Sequence, residues 1–231
     1  MNLRCLNQPR ESIAISLSKW ARKLKIPLTT KQTPIDAAII IGDGTPDNIV
    51  WLILTHRLNG KCTVGLMKPS EFPRFASVEA IKTLIKGERV ENVLLSVDQE
   101  ASTLQQIWEE AEKSLRNAAI EFKASRVEGR FRVFDCIYTN HRFKTLIVVN
   151  GVDNPIYKKH TIEDHLLEFY KETLGEDLNT LLNESEEDPK EAWRRLKDKE
   201  EQIYQQLLTS DKTERIFTHH IAALRLLITQ E

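Results

Sequence analysis

The sequence predicts a three-layer α/β fold: a mostly parallel sheet of roughly four to five strands, helices on both faces, and a helical C-terminal extension. Three observations carry this. Short strand-like runs (AAIII at 37–41, KCTVGLM at 61–67, ENVLLSV at 91–97) are separated by helical stretches, the rhythm of repeated strand–helix–strand units. The run at 37–41 is apolar throughout instead of alternating, as in a strand covered on both faces. Beyond residue 150 the strand signal stops, and helical periodicity continues to the end of the chain.

Taken in order, residues 11–24 place Ile13, Ile15, Leu17, Trp20 and Leu24 at mostly helical spacing, and Pro27 and Pro34 bracket a linker. The run at 37–41 enters a Gly42-Asp43-Gly44 turn, with Thr45 suited to cap the next helix and Pro46 to open it. That helix stops at Asn59-Gly60. A strand over 61–67 and a two-proline loop lead to a helix capped by Ser77. The strand over 91–97 ends in Asp98-Gln99-Glu100, and a long amphipathic helix follows, with Leu104, Ile107, Trp108, Ala111 and Leu115 on one face. Residues 130–138 alternate, 139–142 turn the chain, and FKTLIVV forms the last strand. Trp51, Trp108 and Trp193 fall on apolar helical faces and read as core. The implied organisation is an N-terminal helix and linker (1–34), an α/β domain (35–155) and a helical extension (156–231) whose apolar faces either cover the sheet or pair with a second copy.

Composition narrows the class. With 231 residues, 41% hydrophobic and 29% charged, the chain is long enough for one good core and matches an ordinary globular protein. A balance of 33 basic against 34 acidic residues removes bulk attraction to nucleic acid but leaves room for a local basic patch. Cys5, Cys62 and Cys136 form no CxxC pair, which points to a reducing, cytoplasmic setting without structural zinc. No run reaches a spanning length, so no membrane partner is expected. Walker A, GxGxxG, nucleophile-elbow and HExxH motifs are all missing, which removes most NTPases, dehydrogenases, α/β-hydrolases and metalloproteases.

The chemistry-bearing residues lie at strand ends. Asp43 and Asp47 follow the first strand of the α/β domain, and Asp98 and Glu100 follow the third. In a parallel sheet these ends share one edge, where ligands bind. Carboxylates gathered there repel unless one stays protonated or a cation sits among them, and hard oxygen donors suit Mg²⁺ or Mn²⁺. Each acid also has a plain structural reading. Asp43 suits the turn, Asp47 the helix dipole, Glu100 a cap, and Glu163 and Asp164 a first helical turn opened by Thr161. Asp98 is harder to explain that way, because a buried apolar strand gains nothing from ending in an acid. Lys158, Lys159 and His160, just after the last strand, are placed to reach a phosphate at the acidic edge. His165 reads as surface, or as support for Glu163, and His219 and His220 as packing or surface residues.

An acid followed by Gly-x-x-Asp after one strand (Asp43 to Asp47), then acid-x-acid after a later one (Asp98 and Glu100), resembles the Toprim superfamily. The likeness covers residues 36–100 and extends toward Glu163. There LIVVNGVDN, the start of the IEDHLLEF helix and the helical tail are similar to small stand-alone Toprim-like proteins related to the OLD-type nucleases. The resemblance implies a Toprim/Rossmann-like fold and Mg²⁺-dependent phosphodiester chemistry on nucleic acid. Asp43 would be the proton-transfer group with Asp47 beside it, and Asp98, Glu100 and Glu163 the metal ligands. Two positions depart from the family: Asp43 stands where Glu is usual, and Glu100 where Asp is usual. One methylene changes reach by about 1.5 Å, and a misplacement near 1 Å can cost ~100-fold in rate. The alternative is a non-catalytic nucleotide- or protein-binding module with a degenerate acidic turn.

Overall fold

The structure, a computed structural model, describes every residue except 30–32, 43–44, 59, 70–73, 176–177 and 230–231. A seven-stranded sheet runs in the order β1-β3-β2-β4-β7-β6-β5, from β1 (Asn2–Cys5), β2 (Ala37–Ile40), β3 (Thr63–Met67), β4 (Asn92–Asp98), β5 (Glu121–Glu128), β6 (Phe131–Tyr138) and β7 (His141–Asn150). β1, β3, β2, β4 and β7 pair in parallel; β6 and β5 close the far side as antiparallel neighbours. This is the α/β class expected, and its mostly parallel sheet is consistent with a Rossmann-like or Toprim-like fold.

Two strands exceed the expectation. β1 makes residues 1–34 part of the sheet and not only a helix and linker, since Leu3 pairs with Val64 of β3. Four residues with a single buried position carry too little pattern to announce a strand. β5 was hidden for a different reason: it is an edge strand, exposed along nearly its whole length, and its sequence EFKASRVE buries no face.

Alternation along the strands divides the interior into two layers. Ala37, Ile39 and Ile41 pack under α1 (Ser12–Leu24), α2 (Thr45–Arg57) and the C-terminal helices. Ala38 and Ile40 face α3 (Val78–Gly87) and α4 (Leu104–Asn117). Thr103 caps α4 through the Gln106 amide, while Ser77 makes no capping bond with its side chain and belongs to a 3₁₀ turn. Thr45 and Pro46 are the first two residues of α2, one step inside the expected cap and opening positions.

The remaining helices are α5 (Ile162–Leu174), α6 (Leu178–Asn183), α7 (Pro189–Arg195), α8 (Glu200–Thr209), α9 (Lys212–Ile216) and α10 (Thr218–Ile228). Their apolar residues, including Leu166, Leu182, Trp193, Tyr204 and Leu224, are buried in the same core as β2 and α2. The tail covers the sheet. Each fully buried Leu or Ile there contributes about 1.5–3 kcal/mol relative to exposure, so extension and sheet share one stabilising core. No helix among the described residues is long and apolar enough to cross a membrane.

What matters for function is the carboxyl edge. β2 is followed to one side by β3 and crosses to β4 on the other, so the crevice beyond β2 and β4 is a topological switch point. The β4–β7 register sets Asp98 beside Asn150 at that edge.

Candidate functional site

Two neighbouring parallel strands and the helix after a third deliver polar groups to the edge. β4 finishes at Asp98, β7 at Asn150, and α2 carries Asp47 in its first turn. Glu163 comes from the first turn of α5, where the Thr161 N–H donates to Asp164 Oδ1 at 3.2 Å and fixes the helix start. Asp47, Asn150 and Glu163 are buried, at 1%, 0% and 5% exposure. Asp43 lies outside the described residues.

Asn150 is the hub. Its Nδ2 donates to Asp98 Oδ1 at 2.9 Å and to Asp47 Oδ1 at 3.2 Å. Its Oδ1 accepts from Ser96 Oγ at 3.2 Å and from His220 Nε2 at 2.9 Å. All four hydrogen-bonding positions of the amide are thereby used, which fixes which way it faces. Behind it, His165 Nε2 accepts the Gly151 N–H at 3.1 Å while its Nδ1 donates to the Ile216 carbonyl at 3.0 Å. Burial pushes His165 down to about 3 and His220 well below the ordinary imidazole range, so both rings are neutral. His165 is thus interior, not surface, because α9 and α10 cover it.

The outer side is closed by a residue that sequence reasoning missed. Lys190, in the first turn of α7, places Nζ 2.7 Å from Glu100 Oε1 and 3.4 Å from Asp98 Oδ2. It lies 90 residues from Glu100 in the chain, so no local pattern could have joined them. Glu100 has φ +55, left-handed for a residue with a side chain, and is held there by paired backbone bonds to His160 at 2.8 and 3.0 Å. Such a conformation costs on the order of 1 kcal/mol and is favoured at functional turns.

The three basic residues expected to meet phosphate each have an acidic neighbour. Lys158 lies 3.5 Å from Glu187, Lys159 lies 2.8 Å from Asp188, and His160 Nδ1 lies 3.2 Å from Asp164. Lys158 and Lys159 line a surface cavity of about 500 Å³ beside α7. A roomier cavity, about 840 Å³, is lined by Asn92, Phe143 and Lys144 at the opposite ends of β4 and β7. A seven-residue strand separates it from the acids by roughly 20 Å, and its charges are of mixed sign. The chemistry points to the acidic edge, not to the larger space.

Electrostatics mark that edge. Burial, then the charges of Asp98 and Glu163, raise Asp47 well above the carboxylate range. Burial and Asp98 push Glu163 up to about 7. Burial also raises Asp98, against the lowering effects of Asn150 and Lys190. Asp47 Oδ2 and Glu163 Oε2 are buried with no hydrogen-bond partner. Unpartnered buried carboxylate oxygens are costly, and such sites are where cations or substrates bind. Among the described residues no three His, Cys, Asp or Glu side chains converge closely enough to cage a metal ion. Mg²⁺ needs no such cage, since it commonly uses one or two carboxylates and keeps its waters. The orphaned oxygens of Asp47 and Glu163, with Asp98 adjoining, fit a hydrated divalent cation on that basis.

No family model, curated protein or solved structure matches this chain.

Proposed function

We propose that the protein is a divalent-metal-dependent phosphodiesterase acting on nucleic acid, with its centre at the carboxyl edge of β2, β4 and β7. The observation that carries this reading is the pair of buried, unpartnered carboxylate oxygens of Asp47 and Glu163 beside Asp98 at the switch point. In this reading Asp98 and Glu163 would hold a hydrated Mg²⁺ or Mn²⁺ with Asp47 adjoining, and Glu100, paired with Lys190, would join them once that pair opens. The bound cation would polarise a phosphodiester and neutralise charge on the leaving oxygen.

The chain's own groups have defined tasks. Asn150 orients Asp47 and Asp98 toward one another, and His220 and Ser96 keep that amide from turning. Asp47, held above the usual carboxylate range by burial, keeps a proton more readily than an exposed carboxyl does, the direction that acid–base work requires. Asp43 is the other acid proposed for proton transfer. Lys158, Lys159 and His160 lie on the rim beside Glu100 and offer positive charge to a phosphate backbone if their acidic neighbours release them.

A second reading has its own observation. The Lys190 ammonium already balances Asp98 and Glu100, so the edge can also serve a non-catalytic nucleotide- or protein-binding module. Cleavage of labelled single- and double-stranded DNA and RNA, with Mg²⁺, Mn²⁺ or EDTA, separates the two. The enzyme reading expects metal-dependent cutting that falls at least ~100-fold in Asp98→Asn. No cutting by folded protein with either metal favours the binding module.

A further inference from the structure

We propose that Lys190 is the protein's own counter-ion in the divalent-cation site, occupying the outer part of that site and competing with the metal. This inference rests on the metal-dependent reading and adds what controls the site's affinity.

The geometry is that of a substituting cation. Lys190 Nζ bridges two carboxylates from the same strand end, Glu100 at 2.7 Å and Asp98 at 3.4 Å, and its side chain is only a third exposed. Its position in the helix argues the same way. A lysine in a first turn meets the positive end of the helix dipole, an unfavourable place unless acids outside the helix attract it. Beyond the ammonium, Asp47 Oδ2 and Glu163 Oε2 remain buried without partners. The lysine therefore pairs with the outer acids and leaves one oxygen of each inner acid without a hydrogen bond.

The segment that carries Lys190 is tied directly to the basic rim. It enters α7 through Glu186 and Glu187, both left-handed at φ 52 and 60, a costly backbone for two successive residues with side chains. It is fastened at the surface by Lys159 to Asp188 at 2.8 Å and by Lys158 N–H to the Glu187 carbonyl at 3.1 Å. A polyanion that drew the Lys158 and Lys159 side chains from Glu187 and Asp188 would remove two ion pairs from the segment that carries Lys190.

The test is Mn²⁺ binding to the full chain, read from the free-ion paramagnetic resonance signal. Wild type is compared with Lys190→Gln, with Lys190→Met (which keeps the aliphatic stem), and with Lys113→Gln, an exposed charge-matched control on α4. Removing a cation from within contact distance of the ligands should tighten Mn²⁺ about tenfold or more in both Lys190 variants and leave Lys113→Gln within about twofold of wild type. Wild-type binding that is equal or tighter than in the Lys190 variants overturns the role of Lys190 while leaving the metal site standing. No Mn²⁺ binding by any of the four proteins overturns both.

Discussion

Glu163 is buried at the start of α5 with one carboxylate oxygen unpartnered, and burial with the neighbouring Asp98 pushes it up to about 7 from 4.5. Between those two values the folded state holds a proton that the unfolded chain has released. The group's contribution to stability is therefore complete below pH 4.5 and is lost as pH rises through about 7. A shift of that size corresponds to roughly 3 kcal/mol. In EDTA, Glu163→Gln should match wild type at pH 4.5 and be more stable at pH 8, by up to about 3 kcal/mol, in urea unfolding. His165 and His220 are depressed and act in the opposite sense over lower pH, but they cancel in the comparison because both proteins contain them. A variant less stable than wild type at pH 8 would contradict the assignment. A residue whose removal stabilises the fold is retained for a use other than folding.

Asp98 was legible in the sequence, because an apolar strand that ends in a carboxylate has no structural reason to, whereas Asp47 and Glu163 also read as ordinary first-turn acids. The partners of these acids were not legible. Asn150 ends β7 as Asp98 ends β4, yet an Asn followed by Gly reads as a turn, and only the β4–β7 register reveals it as the hub. His220, alone on an apolar helical face, reads as packing. It does pack, at 5.3 Å from Trp51 between ring centres, but it also holds the Asn150 amide. Lys190 offered only an ordinary charged position at the start of one long helical stretch, KEAWRRLKDKEEQIYQQLL, which the structure divides into α7 and α8.

At the scale of elements, the connection from β7 to α5 decides whether Glu163 and His160 reach the site. Gly151 begins it with φ +117, and a Cβ there would stand 2.4 Å from His160 Cβ and 3.1 Å from its Cα. Neither the backbone angle nor the space admits a side chain. Gly151→Ala should cost at least about 2 kcal/mol in urea unfolding, because relief requires moving the His160 backbone and with it the bridge to Glu100. A cost under about 0.5 kcal/mol would show the connection to be looser than described. The central strands β2, β4 and β7 were readable because burial on both faces writes a continuous apolar run. β1 and β5 were not, one being too short and the other too exposed to carry a pattern.

For the whole molecule, the helical extension belongs to the site as much as the sheet does. α5 brings Glu163, α7 brings Lys190 and α10 brings His220, while Tyr204 of α8 is buried close enough for Glu163 and Asp47 to help raise its phenol, after burial and Glu200. Sheet and tail share one core, so ligand binding at the acids should register in the unfolding of the entire chain as a single transition. The most direct measurement is the melting temperature of the wild-type protein as Mg²⁺ is raised from zero, at pH 8, beside Glu163→Gln. Binding of the folded state alone should lift the wild-type transition steadily with metal concentration and leave the variant nearly flat. A wild-type melting temperature indifferent to Mg²⁺, or one that rises equally in both proteins, would contradict a divalent-cation site at this edge.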